Sequence, residues 1–337
     1  MRRCLLFGLA LAFAGQARAE EKFDLKFSSW VPPAHAMHAA IKRWGDSIAS
    51  DSKGTITVTL FPAEQLGKAN DHYDMARDGI AEVTYIALGY QAGRFPIAEA
   101  ANLPFLVSNA DSGSKALDQW YRPYAEKEMK EVKYCLGFFH DPGTFHSKKE
   151  IRTPADVKGL KVRSANSTIA NFVTALGGVN VRVSAPESRA ALESGVADAI
   201  TFPWQSMMLF GIDKVVSYSA DVNFYAAGFA WVMNKAVYER MSQAQKKVID
   251  DHCSNEWAGI VGKTWGDYEA AGRKHLREKP GYTVYTLKPE EIAAWQKAAE
   301  PVRRQWAESA KKSGLPDPQK ALADLEATIK KNGAEFK

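Results

Sequence analysis

Thr153-Pro154-Ala155-Asp156-Val157-Lys158-Gly159-Leu160-Lys161-Val162-Arg163 is the stretch on which the fold turns. Thr153 stands as a helix N-cap with proline at the first helical position. Gly159 ends that turn, and Leu160 to Arg163 then reads as a short strand. Just downstream, a helix is expected over Ser167 to Leu176, stopped by Gly177-Gly178. Val179 to Val183 follows as a strand. Ser184-Ala185-Pro186-Glu187 is a capping box that opens a helix ending at Ser194-Gly195. Ala199 to Phe202 is the next strand. Strand and helix therefore alternate beyond residue 150.

The same alternation runs upstream. Asp24 to Ser29 places Leu25 and Phe27 on one face of a strand. Ile41, Trp44 and Ile48 have helical spacing within Ala36 to Ser50. Thr55 to Phe61 alternates Thr with Ile56, Val58 and Leu60, the period of a half-buried strand. A helix over Asn70 to Asp78 stops at Gly79, and a buried strand lies near Glu82 to Ala87. Two α/β units in series, each with a mainly parallel sheet, is the expected architecture.

A third region is all helix. Ser242 with Gln245 makes another capping box, and no proline follows before Arg277. Val248, Trp257, Ile260, Val261, Trp265 and Tyr268 mark an apolar stripe. The expectation is one helix of about 34 residues, roughly 50 Å long, bracing both units, with Gly262 or Gly266 as places for a break. Near the end, Ile292, Trp295, Ala299, Val302 and Trp306 share one face of a helix that Pro301 is expected to kink.

The first residues read as an export signal. Arg2 and Arg3 precede an apolar run from Leu5 to Ala14, and Ala17-Arg18-Ala19 fits a signal peptidase. Residues 1–19 are thus expected to be removed after Ala19. Without them, 41 basic residues stand against 39 acidic ones, which is not a nucleic-acid-binding balance. Cys135 and Cys253 remain. A disulfide between them and two buried thiols are both compatible with the sequence.

Catalytic signatures are missing: no G-x-S-x-G elbow, no G-x-x-x-x-G-K-[ST] phosphate loop, no C-x-x-C or H-E-x-x-H. His140 and Asp141 are adjacent in an extended segment and point to opposite faces, a poor acid/base pair. His35 and His38 lie three apart with no carboxylate near them in sequence, so no metal and no cofactor is expected. Arg163 is the best polar anchor, because ligands of open α/β sheets sit beyond the carboxyl ends of the strands. A guanidinium there can clamp a carboxylate through two parallel hydrogen bonds.

Several stretches resemble the substrate-binding subunit of tripartite ATP-independent periplasmic (TRAP) transporters, the DctP-like family. They are Leu60-Phe61-Pro62-Ala63-Glu64-Gln65-Leu66-Gly67, Asn102-Leu103-Pro104-Phe105-Leu106, the Thr153 to Arg163 stretch, and Leu192-Glu193-Ser194-Gly195-Val196-Ala197-Asp198. The resemblance implies a two-lobed periplasmic-binding-protein fold of type II-like form, with a long domain-spanning helix. It implies lobe I from 20–140 with 229–268, and lobe II from 141–228 with 269–337. It also implies that Arg163 matches the arginine that clamps a ligand carboxylate. The partners would be the small and large subunits of a membrane permease. The protein would act as a monomer, in the periplasm, and not as an enzyme.

Departures from the family pattern shape the ligand. Sialic-acid-binding members carry a second arginine where this chain has Gly143, a pocket Glu where it has Ala87, and an Asn where it has Phe202. Small and apolar groups replace the contacts a sugar acid needs. The expected ligand is a monocarboxylate with a compact apolar or aromatic body, with or without a neighbouring oxo or hydroxyl group. Further pocket candidates are Trp30 after the first strand, His35 at the next helix start, Tyr90 near Ala87, Trp204 after Phe202, and Asn223 and Phe224 at the expected crossing between lobes, with Tyr225 an alternative there. Trp257 and Trp265 read as packing. Two other functions stay open at this point: a sensor protein of the same fold, and an exported enzyme.

Overall fold

The computed structural model describes residues 21–336. The expected signal segment, with its cleavage after Ala19, lies outside them. Among the described residues no helix is long and apolar enough to cross a membrane.

Two mixed sheets form the core. The first contains β1 (Phe23–Ser28), β2 (Ile56–Phe61), β3 (Val83–Ala87), β4 (Val132–Phe139) and β10 (Gly228–Asn234), in the order β2-β1-β3-β10-β4. The second contains β5 (Thr144–Ser147), β6 (Lys161–Arg163), β7 (Val179–Val181), β8 (Ala199–Phe202), β9 (Tyr218–Ala220) and β11 (Thr283–Tyr285), in the order β11-β9-β5-β8-β6-β7. The strands of the sequence's βα repeats pair in parallel, β1 with β2 and β3, and β6 with β7 and β8. The sheets are more antiparallel than the sequence suggests. β10 runs against β3 and β4, and β5 runs against β8 and β9. The cause is the chain path: β4 leads into β5 and β9 into β10, so each crossing delivers a reversed strand to the other sheet. The two crossings are tied together where Gly143 N–H donates to Tyr225 O at 2.8 Å.

Local signals place the flanking helices. Met37–Asp51 buries Met37, Ala40, Ile41, Trp44 and Ile48, the one face its apolar spacing defines. Ser242 Oγ accepts from Gln245 N–H at 3.2 Å, and Gln245 Oε1 accepts from Ser242 N–H at 3.0 Å. The single long helix does not form. Three helices take its place: Gln243–His252, Asn255–Glu269 and Gly272–Glu278. The first break falls at Cys253-Ser254, where Cys253 is bonded to Cys135 of β4 and Ser254 caps the next helix. Gly262 and Gly266 are helix interior. At Gly262 a Cβ would lie 2.1 Å from Ser114 Oγ and 2.5 Å from Ala110 O, so glycine there permits a close crossing with helix Ala110–Glu128. The helix over Pro289–Lys312 runs on through Pro301.

The disulfide closes a sequence separation of 118 residues, so it removes a large share of the unfolded chain's freedom. Replacing Cys253 by Ser is expected to lower the unfolding free energy by roughly 3–5 kcal/mol. Urea titrations with and without reductant check this. An unchanged midpoint would show that the bond contributes nothing.

Candidate functional site

The carboxyl ends of β3, β6 and β8 converge on one cavity between the two sheets. Arg163 ends β6, flanked by β7 and β8 in register with Val181 and Ile200. Its side chain is only 1% exposed. Nε donates to Val183 O at 3.1 Å, Nη1 to Thr201 O at 3.4 Å, and Nη2 to the Tyr90 hydroxyl at 2.9 Å. Its guanidinium also lies over the Phe202 ring, 5.6 Å from the centroid. Among the described residues Arg163 has no ion-pair partner within 4.0 Å. A buried charge normally has such a partner.

Aromatic rings surround it. Trp30 stacks on Tyr85 with centroids 4.9 Å apart, and Phe229 leans on Trp265 at 5.0 Å. His35 meets Trp265 edge-on at 5.0 Å. Met37 N–H donates to His35 Nδ1 at 3.1 Å, which puts the ring proton on Nε2. Burial, with repulsion from His38 and His140, lowers the His35 pKa to about 3. Burial lowers His140 to about 4. Both rings are therefore neutral at pH 7, and Arg163 is the one formal charge on the cavity wall.

The buried donors on the wall that have no partner include Trp30 Nε1 and Asn166 Nδ2. Asn166 caps helix Ser167–Ala175, its Oδ1 accepting from Ile169 N–H at 2.9 Å. That bond fixes which end of the amide is left over.

Of the eight residues expected at the site, five line this cavity: Trp30, His35, Tyr90, Arg163 and Phe202. Three do not. Trp204 is buried behind it, between His146 at 5.5 Å and the Arg273 guanidinium at 4.8 Å. Phe224 packs into an apolar cluster with Phe145 at 5.1 Å and Trp295 at 4.8 Å. Asn223 accepts a hydrogen bond from Arg273. In that crossing segment Tyr225 faces the cavity instead. Trp265, expected as packing, also lines it, as do Phe229 and Asn166. Asn166 was not among the residues expected at the site, and nothing in the sequence marks its free amide. His35 and His38 do not meet as a metal pair, because His38 turns to Ser29 Oγ and Pro33 O, each at 3.0 Å. The described residues contain no cluster of three or more metal-ligating side chains.

Gly143, too, has a steric reason. A Cβ there would lie 2.5 Å from Phe202 O, so no larger side chain fits. Gly89 is similarly constrained: a Cβ would lie 2.3 Å from Asn166 Cβ, across the meeting of the two sheets' loops.

Behind the wall, Glu269 ends the bracing helix and is fully buried. It accepts from Gln205 N–H at 2.5 Å, Ser206 N–H at 3.1 Å and Trp265 Nε1 at 2.9 Å, and from the Ser206 hydroxyl. The Ser206 hydroxyl lies 3.5 Å from His35 Nε2. Burial pushes the Glu269 pKa from its ordinary 4.5 up to about 7, despite these donors.

Two sheets around one cavity with a single formal charge suit the binding of a small anion. Residues 27–310 match the family described as bacterial extracellular solute-binding protein, family 7 (DctP), and the chain belongs to that family. A TRAP solute-binding protein from Rhodoferax ferrireducens T118, solved with copurified benzoate, is 30% identical with a TM-score of 0.86, covering 92% of this chain and 98% of that one. A TRAP periplasmic solute-binding protein from Bordetella bronchiseptica, solved with (R)- and (S)-mandelate, is 29% identical with a TM-score of 0.85, covering 91% and 99%. The 2,3-diketo-L-gulonate-binding periplasmic protein YiaO of Escherichia coli K12 is 26% identical over 245 residues, 70% of this chain and 72% of that one.

The Glu269 network yields a pH test. Folded, the carboxyl keeps its proton up to about pH 7; unfolded, only to about 4.5. Between these values the folded state binds the extra proton, so this group's contribution to stability falls as pH rises through the window. The stability advantage of wild type over Glu269→Gln is therefore expected to shrink between pH 5 and pH 8. Denaturant unfolding at both pH values measures it. An advantage that grows with pH would contradict the assignment.

Proposed function

We propose that this protein is the periplasmic receptor of a TRAP transporter, and that it encloses an aromatic monocarboxylate and delivers it to a two-part membrane permease. The observation that carries the reading is the Arg163 guanidinium, buried with no acidic partner in an otherwise uncharged aromatic cavity. A ligand carboxylate supplies the missing counter-charge, and its ring takes the place of water against Trp30, Phe202 and Phe229. Tyr90 accepts from both Arg163 Nη2 and Ala185 N–H, each at 2.9 Å, so its own hydrogen is left to donate to the same carboxylate. The relatives that hold benzoate and mandelate, at 30% and 29% identity, support this ligand class.

A sugar acid suits the walls less well. Ala87 offers no hydrogen bond, and the Phe202 backbone fills the space beside Gly143. The lobes of this reading are 20–140 with 229–268, and 141–228 with 269–337, exported by the signal that ends at Ala19. Ligand capture brings Gly89 of the first lobe against Asn166 of the second.

Two measurements test the reading. Isothermal titration with benzoate should show Arg163→Met binding at least about thirtyfold more weakly than wild type, the equivalent of about 2 kcal/mol. Wild-type affinity in that variant, with its fold intact by circular dichroism, would remove Arg163 from the anchor role. Gly89→Ala should weaken benzoate about tenfold, since overpacking costs about 1–3 kcal/mol. Its ligand-free unfolding midpoint should stay close to that of wild type, because the crowding arises only on closure. A variant that binds normally would place the lobe contact elsewhere.

A further inference from the structure

A second, polar cavity adjoins the first and shares Gly89, Tyr90, Ala165 and Asn166 with it. Arg163 sits at the shared wall. Tyr90, which faces both spaces, accepts from Nη2, and Val183, which faces the second, accepts from Nε through its carbonyl. An acid clamped by Arg163 therefore has its carboxylate end at this shared wall.

Asn166 stands at the same boundary. It is 6% exposed, its Oδ1 is committed to the helix cap, and its Nδ2 has no partner. Nearby in the chain, Ser164 is 7% exposed and lines the second cavity, and its hydroxyl is also unpartnered. One group supplies only hydrogen; the other can give or accept one. A hydroxyl or an oxo oxygen can accept from the Asn166 amide. A methylene leaves that buried donor unpaired, which is the arrangement that rejects an analogue lacking the oxygen.

We propose that Asn166 is a specificity residue that reads an oxygen on the carbon next to the carboxylate, so that the preferred ligand class is the 2-hydroxy or 2-oxo aryl carboxylates. The inference rests on the reading that Arg163 holds the carboxylate.

Titration of the purified protein with phenylacetate and mandelate, which differ by that hydroxyl, tests it. Wild type is expected to bind mandelate at least about tenfold tighter, the scale of one well-made hydrogen bond. In Asn166→Ser the serine hydroxyl still caps the helix but the amide donor is gone. There the preference should fall to within about threefold, with the ligand-free unfolding midpoint unchanged. Equal wild-type affinity for the two acids overturns the inference and leaves the carboxylate clamp standing. A preference that survives in Asn166→Ser also overturns it. A gain on moving the hydroxyl from the α-carbon to the ring, in 3-hydroxyphenylacetate, overturns it as well. Failure of wild type to bind any of the three acids brings down the underlying proposal instead.

Discussion

A guanidinium taken out of water with no acid at ion-pair distance is held mainly by dipoles. Arg163 is in that position. Two backbone carbonyls, a tyrosine hydroxyl and the face of Phe202 take the place of its hydration shell. Those contacts satisfy hydrogens but carry no opposing charge, so the electrostatic cost of burial is only partly offset. In so apolar a setting the same cost becomes strong attraction for an incoming anion, because the field is weakly screened. The partners also come from separate places. Val183 and Thr201 belong to the second sheet's side and Tyr90 to the first, so the charge is fully surrounded only when both sides are together.

The rest of the architecture brings those sides together and limits how they meet. The crossing strands are tied at Gly143 and Tyr225, and the bracing helix reaches Gln205 and Ser206 through Glu269. Ser167 donates to Glu99 across the same divide at 2.8 Å. Glycine at 89 lets the loop after β3 touch Asn166. The contacts between the two sides near the cavity include hydrogen bonds and the close approach of Gly89 to Asn166. The apolar contacts concentrate within each side and around the crossing segments, as in the Phe145, Phe224 and Trp295 cluster.

What the sequence made legible was what depends on near neighbours. Ser184 with Glu187 and Ser242 with Gln245 are caps written three residues apart, and both form. Arg163 could be placed because a strand's last residue points its chemistry past the sheet, and Phe202 through the family resemblance. The break at Cys253-Ser254 had one local sign, a serine able to cap a new helix, and it does so. The disulfide that also sits there joins Cys253 to a strand 118 residues away and has no local signature. The crossing segment from 221 to 227 has no period, so the choice among Asn223, Phe224 and Tyr225 is made by tertiary packing. Trp265 looked like core because it is core on one side, and only the folded chain exposes its other face to the cavity.

The number of charges argues for one carboxylate, on the proposed reading. A second carboxylate would need a second cation or a set of strong donors to leave water. The nearest basic groups on the wall are His35 and His140, and burial keeps both neutral far below pH 7. Protonating either would place another positive charge close to Arg163 in a dry space, at a cost that a single ligand charge does not recover. Glu269 does not alter this balance in the cavity, because its oxygens are spent on Trp265, Gln205 and Ser206. The cavity thus selects by charge before it selects by shape, and the neutral donors left at its edge are what remains to distinguish one aromatic acid from another.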